Sequence, residues 1–446
     1  MRICVVPIDN RPVCYNLIQD IASIDKDIEL FLPPREFLGT LQKKAQIDKI
    51  FEWLESLNDV DSMILSLDTL AYGGLVASRR GENGVLETFE EIKQRILRLK
   101  PLLKNKKVFA FSSIMRIPNN NYNDEEKVYW ADYGTKIFEY SYLYHKNGVA
   151  PDTEIPKEIL EDYLNTRTRN FEINKLYLEW QKEGLFDTLI FSKDDCAEYG
   201  LNIKEAQELE SSGGITKTGA DEIPLALFSR AIQKEIKVYP LFIEPKGKDL
   251  VSNYEDVSIE KSVLSQLELG GFTSVLSENE ADVVLLVNNF LDKQGELVMN
   301  WPTKPFDGNL SLPQKPFCIA DVRFTNGADN SFVKQFLEHN IFDNKFYGYA
   351  AWNTSANTLG SLLAGLKVKW QAKNYRELAF KRLQSIRLLD DWAYQANVRN
   401  MIKGPCEVKK LMEPYEKNIE SFLDYKLGNT SYTFPWYRKF EIEIIL

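Results

Sequence analysis

Two adjacent aspartates follow an apolar run that is typical of a buried strand. Residues 189–191 lead through Ser192 and Lys193 to Asp194 and Asp195. Two like charges a few ångströms apart do not both ionise readily, so the pKa of one carboxyl group should rise. A carboxyl group that keeps its proton near neutral pH can act as a general acid. The alternative is that the pair only begins a helix, where the helix dipole favours acidic side chains.

The chain contains few other groups suited to acid–base chemistry. It has only two histidines, His145 and His339, and both are interpreted as solvated residues near helix ends. A Ser-His-Asp triad or a His-rich zinc site is therefore not expected. The chemistry should depend on carboxylates, Arg, Asn and Tyr, with no cofactor. In an alternative interpretation, the aspartates supply oxygen ligands to Mg²⁺ or Mn²⁺.

Other apolar runs along the chain also end in polar residues. Because these runs are apolar at nearly every position, they predict parallel strands that are buried on both faces. Parallel-sheet proteins keep their binding and catalytic residues at the carboxyl ends of such strands. The substrate-binding residues predicted in this way are Asp9, Arg11, Asp68, Tyr72, Arg116, Tyr199, Asp321, Asn326, Trp352, Asn353 and Asn357.

Several of these residues also have a purely structural explanation. Asp9 and Arg11 could pair only with each other, and Asp68 could lie in a plain turn between a strand and a helix. Gly73 and Gly74 favour a site beside Asp68, because glycine lets the backbone approach a ligand closely. Arg116 is placed to contact a negatively charged substituent of the substrate.

The segment around Trp352 has the same two explanations. Asn353 or Thr354 could serve only as a helix N-cap. The favoured hypothesis is a site, because Trp352 offers a stacking face and the amides of Asn353 and Asn357 can bind sugar hydroxyls.

The order of predicted strands and helices favours a (β/α)8-type barrel. The barrel would cover residues 1–366, with a helical insertion at about 119–183. Residues 367–446 would form a helical C-terminal extension that ends in a short strand. The alternative fold is an open, doubly wound parallel sheet in two lobes. A barrel requires the strand at residues 3–8 to lie beside the last parallel strand.

Composition excludes several classes of partner. The 446-residue chain carries a formal net charge of -10, so no nucleic-acid partner is expected. No apolar run is long enough for a membrane span, and Met1 leads directly into the first strand, so neither a membrane anchor nor a signal peptide is expected. Five scattered cysteines indicate reduced thiols and a cytoplasmic protein. Apolar and polar residues alternate in the tail at 440–446, which is typical of an edge strand or a partner contact. A homo-oligomer is therefore one of the possible assemblies.

Six short motifs recur at the predicted strand ends and helix starts. They are Val6-Pro7-Ile8-Asp9-Asn10-Arg11-Pro12, Asp68 with Tyr72-Gly73-Gly74, Asp194-Asp195 with Tyr199-Gly200, Gly219-Ala220-Asp221-Glu222, Asn326-Gly327-Ala328-Asp329, and Trp352-Asn353-Thr354 with Asn357-Thr358-Leu359-Gly360. Taken together, these motifs resemble a bacterial family called domain of unknown function 4127 (DUF4127). The resemblance extends from residue 1 to about residue 400, and the family name implies no activity.

The aspartate pair also resembles that of the barrel β-N-acetylhexosaminidases. This resemblance implies that Asp194 orients the acetamido group of the substrate and that Asp195 is the general acid/base. Those enzymes follow the pair with an apolar residue such as Ile, whereas this chain has Cys196.

The expected function is that of a glycoside hydrolase acting on a small-molecule or oligosaccharide substrate. One alternative is a metal-dependent hydrolase or transferase on a phosphorylated small molecule. The other is a carbohydrate-binding protein without catalysis.

Overall fold

The computed structural model describes residues 1–81, 84–339, 344–402, 404 and 407–446. The chain folds into two compact units that are each built from more than one segment. Unit 1 comprises Met1–Tyr15, Glu29–Pro224 and Tyr254–Asp256. Unit 2 comprises Asn16–Ile28, Leu225–Asn253 and Val257–Leu446.

Unit 1 contains a parallel sheet whose four central strands are buried at nearly every position, whereas the two edge strands are partly exposed. Its order is β2-β1-β3-β4-β5-β6, so the direction of winding reverses between β1 and β3. The strands are β1 (Arg2–Val6), β2 (Glu29–Phe31), β3 (Ser62–Ser66), β4 (Lys107–Ile114), β5 (Thr188–Lys193) and β6 (Ile215–Thr218).

Most helices of unit 1 pack apolar side chains against this sheet, whereas α7 and the start of α8 form a separate apolar cluster. In α2 one face, formed by Ile47, Ile50, Phe51 and Leu54, is buried, as helical spacing requires. The predicted insertion at 119–183 is largely helical. The helices are α1 (Pro12–Ala22, which continues into unit 2), α2 (Ile47–Ser56), α3 (Leu67–Tyr72), α4 (Leu75–Arg80), α5 (Phe89–Ile96), α6 (Leu99–Leu103), α7 (Trp130–Asn147), α8 (Lys157–Lys182) and α9 (Leu201–Ser211), with a 3-10 turn at Arg35–Phe37.

Unit 2 contains a second parallel sheet with the order β13-β11-β9-β7-β8. Two short strand pairs accompany it: β10 with β12, parallel, and β14 with β15, antiparallel. The strands are β7 (Lys237–Phe242), β8 (Thr273–Ser274), β9 (Val283–Asn288), β10 (Gly295–Glu296), β11 (Phe317–Asp321), β12 (Phe324–Thr325), β13 (Phe346–Ala350), β14 (Ser431–Thr433) and β15 (Glu443–Ile445).

A long π-helix, Leu388–Val398, distinguishes the helical part of unit 2. Such helices are rare in proteins and are usually limited to a single turn. The other helices are α10 (Ile223–Ala231, which begins in unit 1), α11 (Ile259–Leu269), α12 (Asn330–Phe336), α13 (Ser355–Gln371), α14 (Glu377–Arg387) and α15 (Val408–Leu423), with 3-10 turns at Pro245–Gly247, Glu278–Glu280 and Pro435–Tyr437.

The barrel prediction is wrong, because the neighbours of β1 are β2 and β3 rather than the last parallel strand. Both parallel sheets are open in the described residues, which agrees with the alternative of open parallel sheets in two lobes. Runs that are apolar at every position indicate burial on both faces, and barrels and doubly wound sheets bury strands equally.

The predicted boundary between residues 366 and 367 also differs from the structure. It falls inside α13 and does not separate the two units. Among the described residues, no helix is both long and apolar enough to cross a bilayer.

Candidate active site at the carboxyl edge of the first sheet

The carboxyl ends of four strands of unit 1 supply most of the site. Asp9 follows β1, Asp68 follows β3, Arg116 follows β4, and the pair Asp194 and Asp195 follows β5. In an open parallel sheet, ligands bind at this edge and near the point where the winding reverses. The predicted residues of unit 1 therefore come from the edge where a ligand is expected.

The aspartate pair lies in a loop rather than at a helix start. α9 begins at Leu201 with Gly200 as its N-cap, so the helix-start alternative is wrong. Asp195 adopts a left-handed backbone conformation with φ of 49°, which non-glycine residues occupy sparsely and mostly at functional sites and turns. The side chains of Asp194 and Asp195 are 35% and 25% exposed, so both remain accessible to a ligand.

Arg116 holds the pair from the neighbouring strand. Its Nη1 lies 3.3 Å from Oδ2 of Asp195 and 3.7 Å from Oδ2 of Asp194. Its Nη2 lies 3.0 Å from Glu125, and its Nε lies 3.0 Å from Glu126. Burial opposes the charge of Arg116, but the surrounding carboxylates raise its pKa well above the usual value. Because Arg116 already contacts four carboxylates, the predicted role of binding an anionic substituent does not fit.

A second, more deeply buried arginine shares the same glutamates. Nε of Arg79 on α4 lies 3.1 Å from Glu126, and its Nη2 lies 3.4 Å from Glu125. Burial lowers the pKa of Arg79, and Glu126 opposes that effect. Two guanidinium groups thus cross-link two glutamates and, through Arg116, the aspartate pair.

Asp194 is the member of the pair that is suited to donate a proton. Burial, followed by the charge of Asp195, raises the pKa of Asp194 to about 7, while Arg116 opposes the rise. This agrees with the predicted rise in a paired carboxyl group, although burial contributes more than the neighbouring charge. Asp194 is therefore the candidate acid in this structure, whereas the resemblance to hexosaminidases assigned that role to Asp195.

A second ion cluster joins the loop after β1 to the loop after β6. Arg11 contacts Asp9 at 2.8 Å and binds both carboxylate oxygens of Asp221, at 2.5 and 3.1 Å. The pair of Asp9 and Arg11 is therefore part of a longer-range bridge. Burial raises the pKa of Asp9, with Arg11 opposing and Asp221 adding to the rise. The charge of Asp221 also raises the pKa of Asp194, so the two clusters interact electrostatically.

The motif that contains Asp221 depends on a glycine. Gly219 has φ of +106°, and a Cβ atom built there would lie 1.7 Å from the Glu222 carboxylate. That carboxylate accepts a hydrogen bond from the backbone N–H of Ala220 at 3.1 Å. Burial raises the pKa of Glu222 well above its usual value.

Asp68 has a positioning role at the carboxyl edge of the first sheet. It is buried at the start of α3, and its Oδ2 accepts a hydrogen bond from the backbone N–H of Ser113 at 2.8 Å. Burial raises its pKa to about 6, and the bond from Ser113 opposes the rise. Asp68 thereby ties the segment after β3 to β4.

Of the two glycines predicted to admit a ligand beside Asp68, Gly73 has a structural explanation, and the role of Gly74 stays a prediction. Gly73 ends α3 in a left-handed conformation, and a Cβ atom there would lie 2.8 Å from the side chain of Lys44. The close approach is made by the chain itself. Tyr72 is buried, and the guanidinium of Arg169 lies 5.2 Å from the centre of its ring.

Tyr199 packs on the insertion helix α7. Its ring contacts those of Tyr142 and His145, with ring centres 5.4 and 5.5 Å apart. These contacts give Tyr199 a packing role in the structure.

The predicted site residues Asp321, Asn326, Trp352, Asn353 and Asn357 belong to unit 2 rather than to unit 1. Asp321 is fully buried at the end of β11. It accepts hydrogen bonds from the amide of Asn288, from the backbone of Asp329 and from the hydroxyl of Tyr349. Burial, followed by the charge of Asp329, raises the pKa of Asp321 to about 7.

The segment around Trp352 forms part of the interior of unit 2. Trp352 is only 4% exposed, so the predicted stacking face is not available to a sugar. Thr354 is the N-cap of α13, as the structural alternative proposed, and it also accepts a hydrogen bond from the side chain of Asn357. The carbonyl group of Asn353 accepts a hydrogen bond from the backbone of Asn326 at 2.9 Å, and both residues have left-handed backbones.

Comparison with known proteins identifies the family. The model described as protein of unknown function (DUF4127) matches residues 3–445. The chain belongs to the DUF4127 family. The resemblance seen in the sequence motifs is therefore confirmed, and it extends beyond residue 400.

Two further comparisons add little to the DUF4127 assignment. No curated protein matches this chain. Among solved structures, a UGT transferase from Siraitia grosvenorii in complex with UDP aligns with 94% of this chain and 99% of its own, at 10% identity and a TM-score of 0.21. A likeness this weak carries no argument about fold or function.

Sequence reasoning missed several residues of this DUF4127 site. Arg79 lies on a helix, and Glu125 and Glu126 lie in the loop before α7, so none of them follows a strand. Lys193, which precedes the aspartate pair, forms a 2.6 Å ion pair with Asp256. The adjacent acids Glu125 and Glu126 were the one signal that sequence inspection could have used.

Across the described ranges, no three His, Cys, Asp or Glu side chains are grouped as ligands of a metal ion. The metal-dependent alternative stays a hypothesis that a chelator experiment tests.

Proposed function

We propose that this DUF4127 protein is a glycoside hydrolase-like enzyme in which Asp194 is the general acid. The observation that carries the proposal is the state of Asp194: it is accessible, lies at the carboxyl edge of a parallel sheet, and has a pKa of about 7. Glycoside hydrolysis needs a carboxylic acid that protonates the leaving oxygen, and a second carboxylate. Asp195 is the second carboxylate, and it would stabilise the positive charge that develops on the sugar.

Arg116 and Arg79 are positioning residues in this mechanism. Arg116 contacts both aspartates and is itself held by Glu125 and Glu126, so the pair is fixed before a substrate arrives. Such preorganisation is how active sites lower a barrier without reorganising during the reaction. Arg116 also limits the pKa of Asp194, which keeps the proton transferable near neutral pH.

The proposed partner is a mono- or oligosaccharide substrate, and the proposed location is the cytoplasm. Among the described residues, Cys4, Cys196 and Cys318 are free thiols, which supports a reducing compartment.

Leaving-group dependence tests the proposal directly. A panel of 4-methylumbelliferyl glycosides identifies a substrate, and Asp194→Asn should then lower kcat/KM by about 100-fold or more. The same variant should lose much less activity on the matching 2,4-dinitrophenyl glycoside, because that leaving group needs no protonation. Asp48→Asn on α2 is the matched control, since the Asp48 side chain is 84% exposed.

Three outcomes oppose the proposal. Equal losses on both leaving groups would show that Asp194 does not act as an acid. Activity abolished by EDTA and restored by Mg²⁺ or Mn²⁺ would favour the metal-dependent alternative. Sugar binding by calorimetry with no turnover of any glycoside would favour a carbohydrate-binding protein.

A further inference from the structure

Unit 1 contains a cavity of about 560 Å³ that is separate from the aspartate pair. A volume of this size suits a small organic ligand. Part of its wall is apolar and is formed by Leu41, Val76, Ala77, Val128 and Ile159.

The charged side chains in the cavity wall are mostly cationic. The cations are Lys43, Lys44, Arg80 and Lys127, and the carboxylates are Glu158 and Asp162. This excess of positive charge stands out in a chain whose formal net charge is -10. Four cations against two carboxylates give these side chains a net positive charge, and a concave site with a net charge concentrates ligands of the opposite sign.

Among the described residues, two of these cations, Arg80 and Lys43, have no carboxylate to neutralise them. Lys127 is paired with Asp162 at 2.6 Å. Arg80 instead donates hydrogen bonds to the backbone carbonyl groups of Asp124, at 2.8 Å, and Leu41, at 3.4 Å. Within the described part of the chain, neither Arg80 nor the exposed side chain of Lys43 forms an ion pair. As far as the described residues go, these two charges can therefore bind an anion.

Arg80 is also held in position. Because two carbonyl groups anchor one arm of its guanidinium, little side-chain entropy is lost when another arm binds a ligand. A guanidinium binds phosphate and carboxylate groups through paired hydrogen bonds, which makes such an oxyanion the best match.

We propose that this cavity binds a small organic oxyanion, a phosphate or carboxylate group on a body of about monosaccharide size. Arg80 and Lys43 bind the anionic group, and the body of the ligand lies against the apolar wall and Tyr129. This inference does not depend on the proposed hydrolase activity. The aspartate pair, the two arginines and the two glutamates of that site are not among the residues that line the cavity.

Calorimetry with defined probes tests the site at physiological salt. The probes are inorganic phosphate, glucose 6-phosphate, glucuronate and, as the uncharged reference, glucose. We expect one or both sugar oxyanions to bind and glucose not to bind. Arg80→Gln and Lys43→Gln should each weaken that binding by about tenfold. Binding of glucose 6-phosphate alone identifies a phosphate site, and binding of glucuronate alone identifies a carboxylate site.

Two control variants keep the interpretation specific. Lys157→Gln removes a lysine that is 86% exposed on α8 and does not line the cavity, so binding should be unchanged. Asp194→Asn should also bind normally, which separates this site from the proposed hydrolase. Circular dichroism establishes that each variant is folded, and the exposed Lys43 gives a variant that does not disturb the core.

The proposal is overturned if no sugar oxyanion binds, if glucose binds as well as they do, or if Lys157→Gln weakens binding as much as Arg80→Gln. Inorganic phosphate that binds alone, with the same affinity in all variants, would indicate an adventitious ion only and would likewise overturn it.

Discussion

The pKa of Asp194 should fall when the charge beside it is removed. Asp195→Asn keeps the size of the side chain and deletes its charge. Because Arg116 Nη1 lies 3.7 Å from Oδ2 of Asp194 and 3.3 Å from Oδ2 of Asp195, these two oxygens are at most about 7 Å apart. At that distance two unit charges repel by about 2.4 kcal/mol with an effective dielectric constant of about 20. This energy corresponds to about 1.7 pKa units.

Solvent reduces that value. The Asp194 side chain is 35% exposed, so water screens part of the repulsion, and a fall of about one unit from the value near 7 is expected. Deleting the charge of Asp195 also leaves Arg116 more fully available to Asp194, which acts in the same direction.

Carbon-13 NMR of the aspartate carboxyl groups measures this pKa without any need for turnover. Asp194→Asn assigns the signal, and Asp48→Asn shows how much an unrelated substitution shifts it. An Asp194 pKa that is unchanged or higher in Asp195→Asn would refute the electrostatic coupling and remove the basis for treating the two residues as one site. If a glycoside substrate is found, the alkaline limb of its pH–rate profile should move to lower pH by the same amount.

Three further predictions concern other parts of the molecule. Arg116→Gln should raise the pKa of Asp194 by about one unit or more, because it removes the cation that opposes the rise; the same NMR titration measures this, and a fall would contradict it. Gly73→Ala should lower the free energy of unfolding, measured in urea, by about 2 to 4 kcal/mol. Gly148 is also left-handed but has open space around it, so Gly148→Ala should lower that free energy by only about 1 kcal/mol. Equal losses would show that the contact with Lys44 does not matter. Burial raises the pKa of Asp321 to about 7, so the stabilisation that its protonated carboxyl group provides is present at low pH and is lost as pH rises through about 7. The wild-type free energy of unfolding should therefore fall between about pH 5 and about pH 8, and Asp321→Asn should make that fall smaller by about 2 to 3 kcal/mol. An unchanged pH dependence in Asp321→Asn would contradict this.

The sequence allowed strand ends to be located, but not the sheet to which each strand belongs. Asp9, Arg116 and Asp194 lie in one unit because they follow strands of one sheet. Asp321 follows an equally apolar strand that pairs in the other unit, and nothing in its local pattern differs. Sheet membership depends on pairing between distant segments, which short-range periodicity does not encode.

Exposure was equally inaccessible from local sequence. Trp352 followed a strand and preceded a helix cap, as a ligand-stacking residue would, yet the structure buries it. Arg79 and Glu126 became visible only in three dimensions, since an ion pair between a helix and a distant loop leaves no periodic signal.

The segmented composition of unit 2 has a consequence for synthesis on the ribosome. Residues Asn16–Ile28 belong to a unit whose remaining parts begin at Leu225. In that unit Asp27 accepts hydrogen bonds from Asn374, which lies 347 residues further along the chain, and Asp20 pairs with Arg382. If the ribosome adds about 5 to 20 residues per second, these partners are synthesised about 20 to 70 seconds after the early segment. The early segment contains apolar residues that are buried in the finished protein: Leu17, Ile18 and Ile21. During that interval we expect them to be exposed on the nascent chain, where a chaperone can bind them.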